Sequence, residues 1–223
     1  MDRKLFGSAM VRFFSGVVLM GVVLFCSAGT LHWPQAWLLM GILFLPMFAA
    51  GLIMMKKNPE LLQKRLNVRE EESEQRQVIL LSGLLFLAAF LAAGLSFRFG
   101  WLMLPMPASG IAAVVFLAAY ALYAEVLREN TWLSRTIEVQ EDQQVIDTGL
   151  YGIVRHPMYM VTVVLFLAMP LVLGSVIAFV IMLGYLPVII KRIRNEERVL
   201  EAGLPGYDRY MKKVRYRLIP FVW

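Results

Sequence analysis

Arg155-His156-Pro157-Met158-Tyr159, with Thr148-Gly149-Leu150-Tyr151 just before it, gathers a guanidinium, one of only two histidines and two tyrosines at the mouth of a long apolar run. Pro157 suits the first turn of a helix, which sets Arg155 and His156 at its N-terminus. Free N–H groups and the positive dipole end favour an anion there. Arg155 adds a forked donor, and His156 can donate or accept. Anchoring at lipid headgroups explains the same residues equally well. A second group, Glu196 and Glu197, stands on a later basic stretch. Adjacent residues on a helix lie ~100° apart, so one carboxylate can face a cleft while the other faces solvent. Arg192, four residues before Glu196, and Arg194, three before Glu197, also allow plain surface ion pairs.

The elements that must carry these groups are apolar. Of 223 residues 59% are hydrophobic and 17% charged, against ~25% charged in soluble domains. The composition indicates one all-α bundle in a membrane. The lone Cys26 excludes an intrachain disulfide framework and a cysteine-based metal site, and no metal is expected. The net charge of +6 is assigned to cytoplasmic loops and not to nucleic-acid binding.

Crossings are expected near residues 13–31, 36–55, 78–97 and 108–127. The first is too long for the apolar part of a cleaved signal peptide. His32 lies in the turn between the first two and reads as a solvated interfacial residue. Asn58-Pro59-Glu60 is a helix start with a capping side chain and an acid at the dipole's positive end. Glu70 to Glu74 forms an acidic solvated run, and alternation around Glu141-Asp142 suits a small hairpin. The apolar run from Met158 to Ile190 is broken by Pro170, Gly174-Ser175, Gly184 and Pro187, so it predicts two helices turning near Gly174-Ser175. The second continues through Arg192 and Glu196 to Gly203, and a short amphipathic helix follows with Tyr207, Tyr210, Met211 and Val214 on one face.

The chain thus reads as about six transmembrane segments, the last two a short hairpin. Residues 1–128 hold the first four, and residues 129–223 hold the connector, hairpin and a cytoplasmic C-terminal lid. With the N-terminus, the loops after segments two and four, and the tail on one side, all 22 basic residues but Arg98, hence 21, fall there. Lysine and arginine favour the cytoplasm, which sets both termini inside, in a bacterial-type inner or plasma membrane. No span holds a central charge, which argues against an ion-coupled carrier. The pattern sets no oligomeric state.

Val154-Arg155-His156-Pro157-Met158-Tyr159, Asn195-Glu196-Glu197-Arg198-Val199-Leu200 and Gly206-Tyr207-Asp208-Arg209-Tyr210, in this order and separation, resemble the isoprenylcysteine carboxyl methyltransferase family. Phospholipid N-methyltransferases share much of the arrangement. The resemblance implies a membrane methyltransferase that binds S-adenosylmethionine on its cytoplasmic side. By that resemblance Tyr151, His156, Pro157, Tyr159, Glu196 and Glu197 line the cofactor, Glu196 being the likelier acid to touch it, and Tyr207 and Tyr210 close over it. Arg155 orients an acceptor carboxylate, and Arg155 and Glu196 are the expected catalytic residues. A lipophilic acceptor enters from the bilayer. Leu150 and Val161 stand where the family commonly has Pro and Gly, which bears on pocket shape and leaves the acceptor open. The expected reaction is methyl transfer to a lipid-like or isoprenoid carboxylate. The alternatives are phospholipid amine methylation, a sterol-reductase-like enzyme using a nicotinamide, and a non-catalytic membrane assembly or transport factor.

Overall fold

Backbone N–H and C=O groups inside hydrocarbon must all be paired, which helices and closed barrels achieve, and continuous apolar runs of about 20 residues suit helices. The computed structural model describes residues 3–57, 59–66, 73–133 and 139–223. In it α1 (Arg3–Ala28), α2 (Pro34–Lys57), α3 (Pro59–Leu66), α4 (Ser73–Phe99), α5 (Met106–Glu129), α6 (Pro157–Val172), α7 (Val176–Leu183), α8 (Tyr185–Gly203) and α9 (Tyr207–Lys213) follow in order. A 3-10 turn at Gly149–Gly152 precedes α6. No strand forms among the described residues; Met103 and Ser175 share an isolated bridge.

Five stretches, 5–28, 34–57, 77–99, 106–129 and 176–203, are long and apolar enough to cross a bilayer. This is an integral membrane protein. The helix α6 has 16 residues and reaches ~24 Å, short of a ~30 Å hydrocarbon core. The chain reverses after it, as the breakers predict. Gly174 takes the left-handed conformation (φ 77), and a Cβ there would lie 3.3 Å from Met103 and Ser109. Ser175 then caps α7, accepting from Ala178 N at 3.2 Å and donating to Ser96 Oγ at 3.1 Å. Pro187 cannot donate to Leu183 and crowds its carbonyl, so α7 stops at Leu183 and Gly184 joins it to α8 at helical dihedrals. The second arm is therefore a long jointed rod, not a second short helix. It ends at Gly203, as expected.

Within the bundle α5 lies along α6, α1 along α4, and α4 along α7. The α1–α4 approach is close because Gly94 faces Ser27: a Cβ there would lie 1.8 Å from the Ser27 hydroxyl. Trp33, Phe116, Leu173, Met182 and Ile189 fill the core, while Val18, Leu45, Leu80 and Ile111 point outward as a lipid-facing surface must. The α6 N-terminus and the α8 C-terminus come to the same end of the bundle. The expected Asn58 cap, the acids at 70–72 and Thr136–Glu138 lie outside the described residues. Gln143 N donates to Gln140 O at 3.1 Å, so the stretch around Glu141-Asp142 makes a tight turn, with no strand pair among the described residues.

Candidate functional site

Pro157 opens α6 with His156 as its cap residue, and what surrounds this start is the tail of the chain. Arg155 N donates to Tyr216 O at 2.8 Å and His156 N to Arg217 O at 2.9 Å. The Arg155 side chain continues the join, with Nη1 on Val214 O at 2.9 Å and Arg215 O at 3.0 Å. Its Nε donates to Glu197 Oε1 at 2.7 Å, which also lies 3.2 Å from His156 Nε2, while Glu197 Oε2 accepts from Arg217 Nε at 2.7 Å. Arg155, His156 and Glu197 are only 8%, 5% and 5% exposed. Buried charges persist when paired and hydrogen-bonded. Here one carboxylate ties α6, α8 and the tail together.

Beside this clamp a cleft opens, with about 800 Å³ of non-atom space including its solvent-open part. His156 at the α6 cap, Tyr159 of α6, Glu196 of α8 and Tyr207 of α9 line it. Asn130, Trp132, Gln143 and Gln144 of the connector line it as well. Glu196 Oε2 accepts from Tyr159 OH, which itself accepts from Arg192 Nε at 2.9 Å. Tyr210 OH donates to Tyr151 O at 2.8 Å. Tyr207 differs: its hydroxyl is buried on the cleft wall and has no hydrogen-bond partner among the described residues. Burial, then the Glu197 and Glu196 charges, push its pKa up, so it stays a neutral donor.

The sequence model of the isoprenylcysteine carboxyl methyltransferase (ICMT) family matches residues 101–202, which include both acids and the Arg-His-Pro group. The fold is similar to that of the eukaryotic intramembrane Ras methyltransferase ICMT, with a TM-score of 0.58 and 18% identity over 92% of this chain and 74% of that one. The likeness to ICMT thus covers residues 101–202 in sequence and most of the chain in fold. Delta(14)-sterol reductase TM7SF2 of Mus musculus is 30% identical over 91 residues, 40% of this chain. The chain spans 22% of that reductase's length.

Within this fold the residues singled out by sequence divide. Tyr151, Arg155, His156, Tyr159, Glu196, Tyr207 and Tyr210 reach the cleft. Pro157 is buried and sets the helix start instead of lining the cleft. Glu197 is not solvent-facing and not a cleft residue; it is the clamp. The anion-site expectation loses two donors, because the Arg155 and His156 N–H groups are engaged by tail carbonyls. Arg155 likewise has Nε and Nη1 engaged, leaving Nη2 as the nitrogen without a partner among the described residues. Sequence reasoning missed Asn130, Trp132, Gln143, Gln144 and Arg217. The aromatic in the polar run after α5 was the one signal available for Trp132.

Proposed function

We propose that this protein transfers a methyl group from S-adenosylmethionine to a lipid-like carboxylate at the cytoplasmic membrane face, with six crossings, α6 being the short one, and both termini inside. What carries the reading is the convergence of His156, Tyr159, Glu196 and Tyr207 on one cleft at the head of the membrane helices. The wall fits the cofactor's chemistry. A carboxylate among tyrosines and Trp132 suits a sulfonium cation, and the unpartnered Tyr207 hydroxyl needs a ligand acceptor.

S-adenosylmethionine would supply an electrophilic methyl group to the acceptor oxygen, the new C–O bond forming as the C–S bond breaks and the sulfur leaving as a neutral thioether. The chain's part is to position and to exclude water. Glu196, oriented by Tyr159 and Arg192, would hold the cofactor's cationic or hydroxyl groups. Tyr207 would donate to it, and the free edge of Arg155 would orient the acceptor carboxylate. Helix α9 and the tail form the lid. A carboxylate acceptor is already nucleophilic and needs no base, whereas an amine must first lose a proton.

Calorimetry on the purified protein tests the reading: S-adenosylmethionine binds, and Glu196→Ala weakens it. Absence of binding, or an unaffected Glu196→Ala, refutes it. The similarity to a sterol reductase favours NADPH as the second ligand to try, and NADPH binding alone would reassign the cleft. For the acceptor, label transferred from the methyl donor into membrane extracts is released by base if an ester forms. Base-stable label in choline-type lipids would transfer the reading to amine methylation.

A further inference from the structure

We infer that residues 219–222 form an interfacial lipid anchor with a basic rim for anionic phospholipid headgroups. Ile219, Phe221 and Val222 are 49%, 87% and 75% exposed. They are not loose. The Trp223 backbone oxygen accepts from Arg217 N and Leu218 N at 2.9 Å and from Ile219 N at 3.1 Å, and Ile219 O accepts from Val222 N and Trp223 N at 3.1 Å. Phe221 is held in the left-handed region (φ 64), which is disfavoured for a bulky residue. Its ring is seated 5.3 Å from that of Tyr216. An apolar side chain fixed outward in a disfavoured conformation points to a use for the outward position.

Two observations place this tip at the membrane boundary. Leu218 and Trp223, on either side of it, pack against the main bundle core. Tyr216 and Arg217 pair with Arg155 and His156, one turn before α6 becomes apolar. The tip therefore continues the bundle's lipid-facing surface at the level where headgroups begin. The charge matches as well. No acidic residue occurs from Arg209 to Trp223, and Arg215, four residues before Ile219, is exposed, whereas Arg217, over the Trp223 ring, is paired with Glu197. Aromatic and basic side chains together are what a headgroup layer accepts. This holds whichever reaction the cleft performs.

The test uses the full chain carrying Cys26→Ser with either Phe221→Cys or Val222→Cys, labelled with an environment-sensitive fluorophore. The protein is placed in phosphatidylcholine vesicles with and without phosphatidylglycerol. We expect blue-shifted emission at both positions, quenched by a headgroup-level nitroxide lipid, while a label at exposed Glu141→Cys stays unquenched. Phosphatidylglycerol should strengthen the quenching, and Arg215→Gln should weaken that gain roughly fivefold, the effect of one basic residue near an anionic surface. Water-like emission at both 221 and 222 overturns the anchor. Blue emission that nitroxide lipid leaves untouched and that grows with protein density assigns the face to a second copy, and overturns it too. Quenching indifferent to phosphatidylglycerol overturns the anionic rim.

Discussion

Glutamine in place of Glu197 keeps the side chain's shape and removes its charge, so it isolates what the buried clamp contributes. The carboxylate satisfies Arg155 Nε and Arg217 Nε at 2.7 Å and meets His156 Nε2 at 3.2 Å. Glu197→Gln leaves one acceptor oxygen and turns an NH₂ toward a guanidinium. Removing one partner of a buried pair costs ~3–5 kcal/mol. Arg217 has a 36% exposed side chain, so solvent screens its share, and the expected loss is about 3 kcal/mol. In a chain of this size that lowers Tm by roughly 6–12 °C. Glu196→Gln is the control one residue away. Its amide oxygen still accepts the Tyr159 hydroxyl, so Tm stays near the parent's. Losing a charge-assisted contact then raises the Kd for S-adenosylmethionine roughly tenfold. Thermal unfolding followed by tryptophan fluorescence, with calorimetry on the same samples, reads both. A parental Tm for Glu197→Gln refutes the clamp, and a lowered Tm with unchanged affinity for Glu196→Gln refutes the division of labour.

Tyr207→Phe should weaken cofactor binding without lowering Tm, whereas Tyr210→Phe, losing its bond to Tyr151 O, should cost about 1 kcal/mol of stability and leave affinity alone; unfolding and calorimetry separate them. Gly149→Ala should cost about 2 kcal/mol: Gly149 has φ 48, and a Cβ would sit 2.3 Å from the Glu129 carboxylate, which accepts from Thr148 Oγ1 at 2.8 Å and Leu150 N at 3.3 Å. Burial first, then nearby negative groups, raises the pKa of both Tyr207 and Tyr210. Their protonated forms are thus favoured by folding, and the stability they contribute is complete below the unfolded value of ~10 and is lost as pH rises above it. Denaturation midpoints across this range should fall more steeply in the parent than in the Tyr207→Phe, Tyr210→Phe double variant.

The membrane helices were legible because hydropathy, glycine and proline act locally. Gly174-Ser175 turns the chain and Gly203 ends α8, each for reasons contained within a few residues. The jointed rod was half legible: Pro187 predicts a break, but whether a break becomes a turn or a joint depends on packing, and Gly184 stays helical against Leu85. The connector's share of the cleft was not legible. Asn130, Trp132, Gln143 and Gln144 come from a connector with no hydrophobic period, and its shape depends on long-range contacts such as Thr148 with Glu129.

The two glutamates mark where one-dimensional reasoning stops. Their separation around the helix correctly assigns them different faces, and helical spacing offers Arg192 and Arg194 as partners. What makes Glu197 a clamp is Arg217, brought back across α9, together with Arg155 from the start of α6. Neither is a helical neighbour. Two of the strongest ties on Arg155 are to backbone carbonyls of Val214 and Arg215, which leave no trace in side-chain type. The family match ends at residue 202, yet Tyr207 and Tyr210 on the wall and Arg217 in the clamp lie beyond it. The tail is therefore part of the site's framework: it satisfies the backbone of Arg155 and His156, fixes the charge behind them, and leaves Glu196 on the cleft with Tyr159.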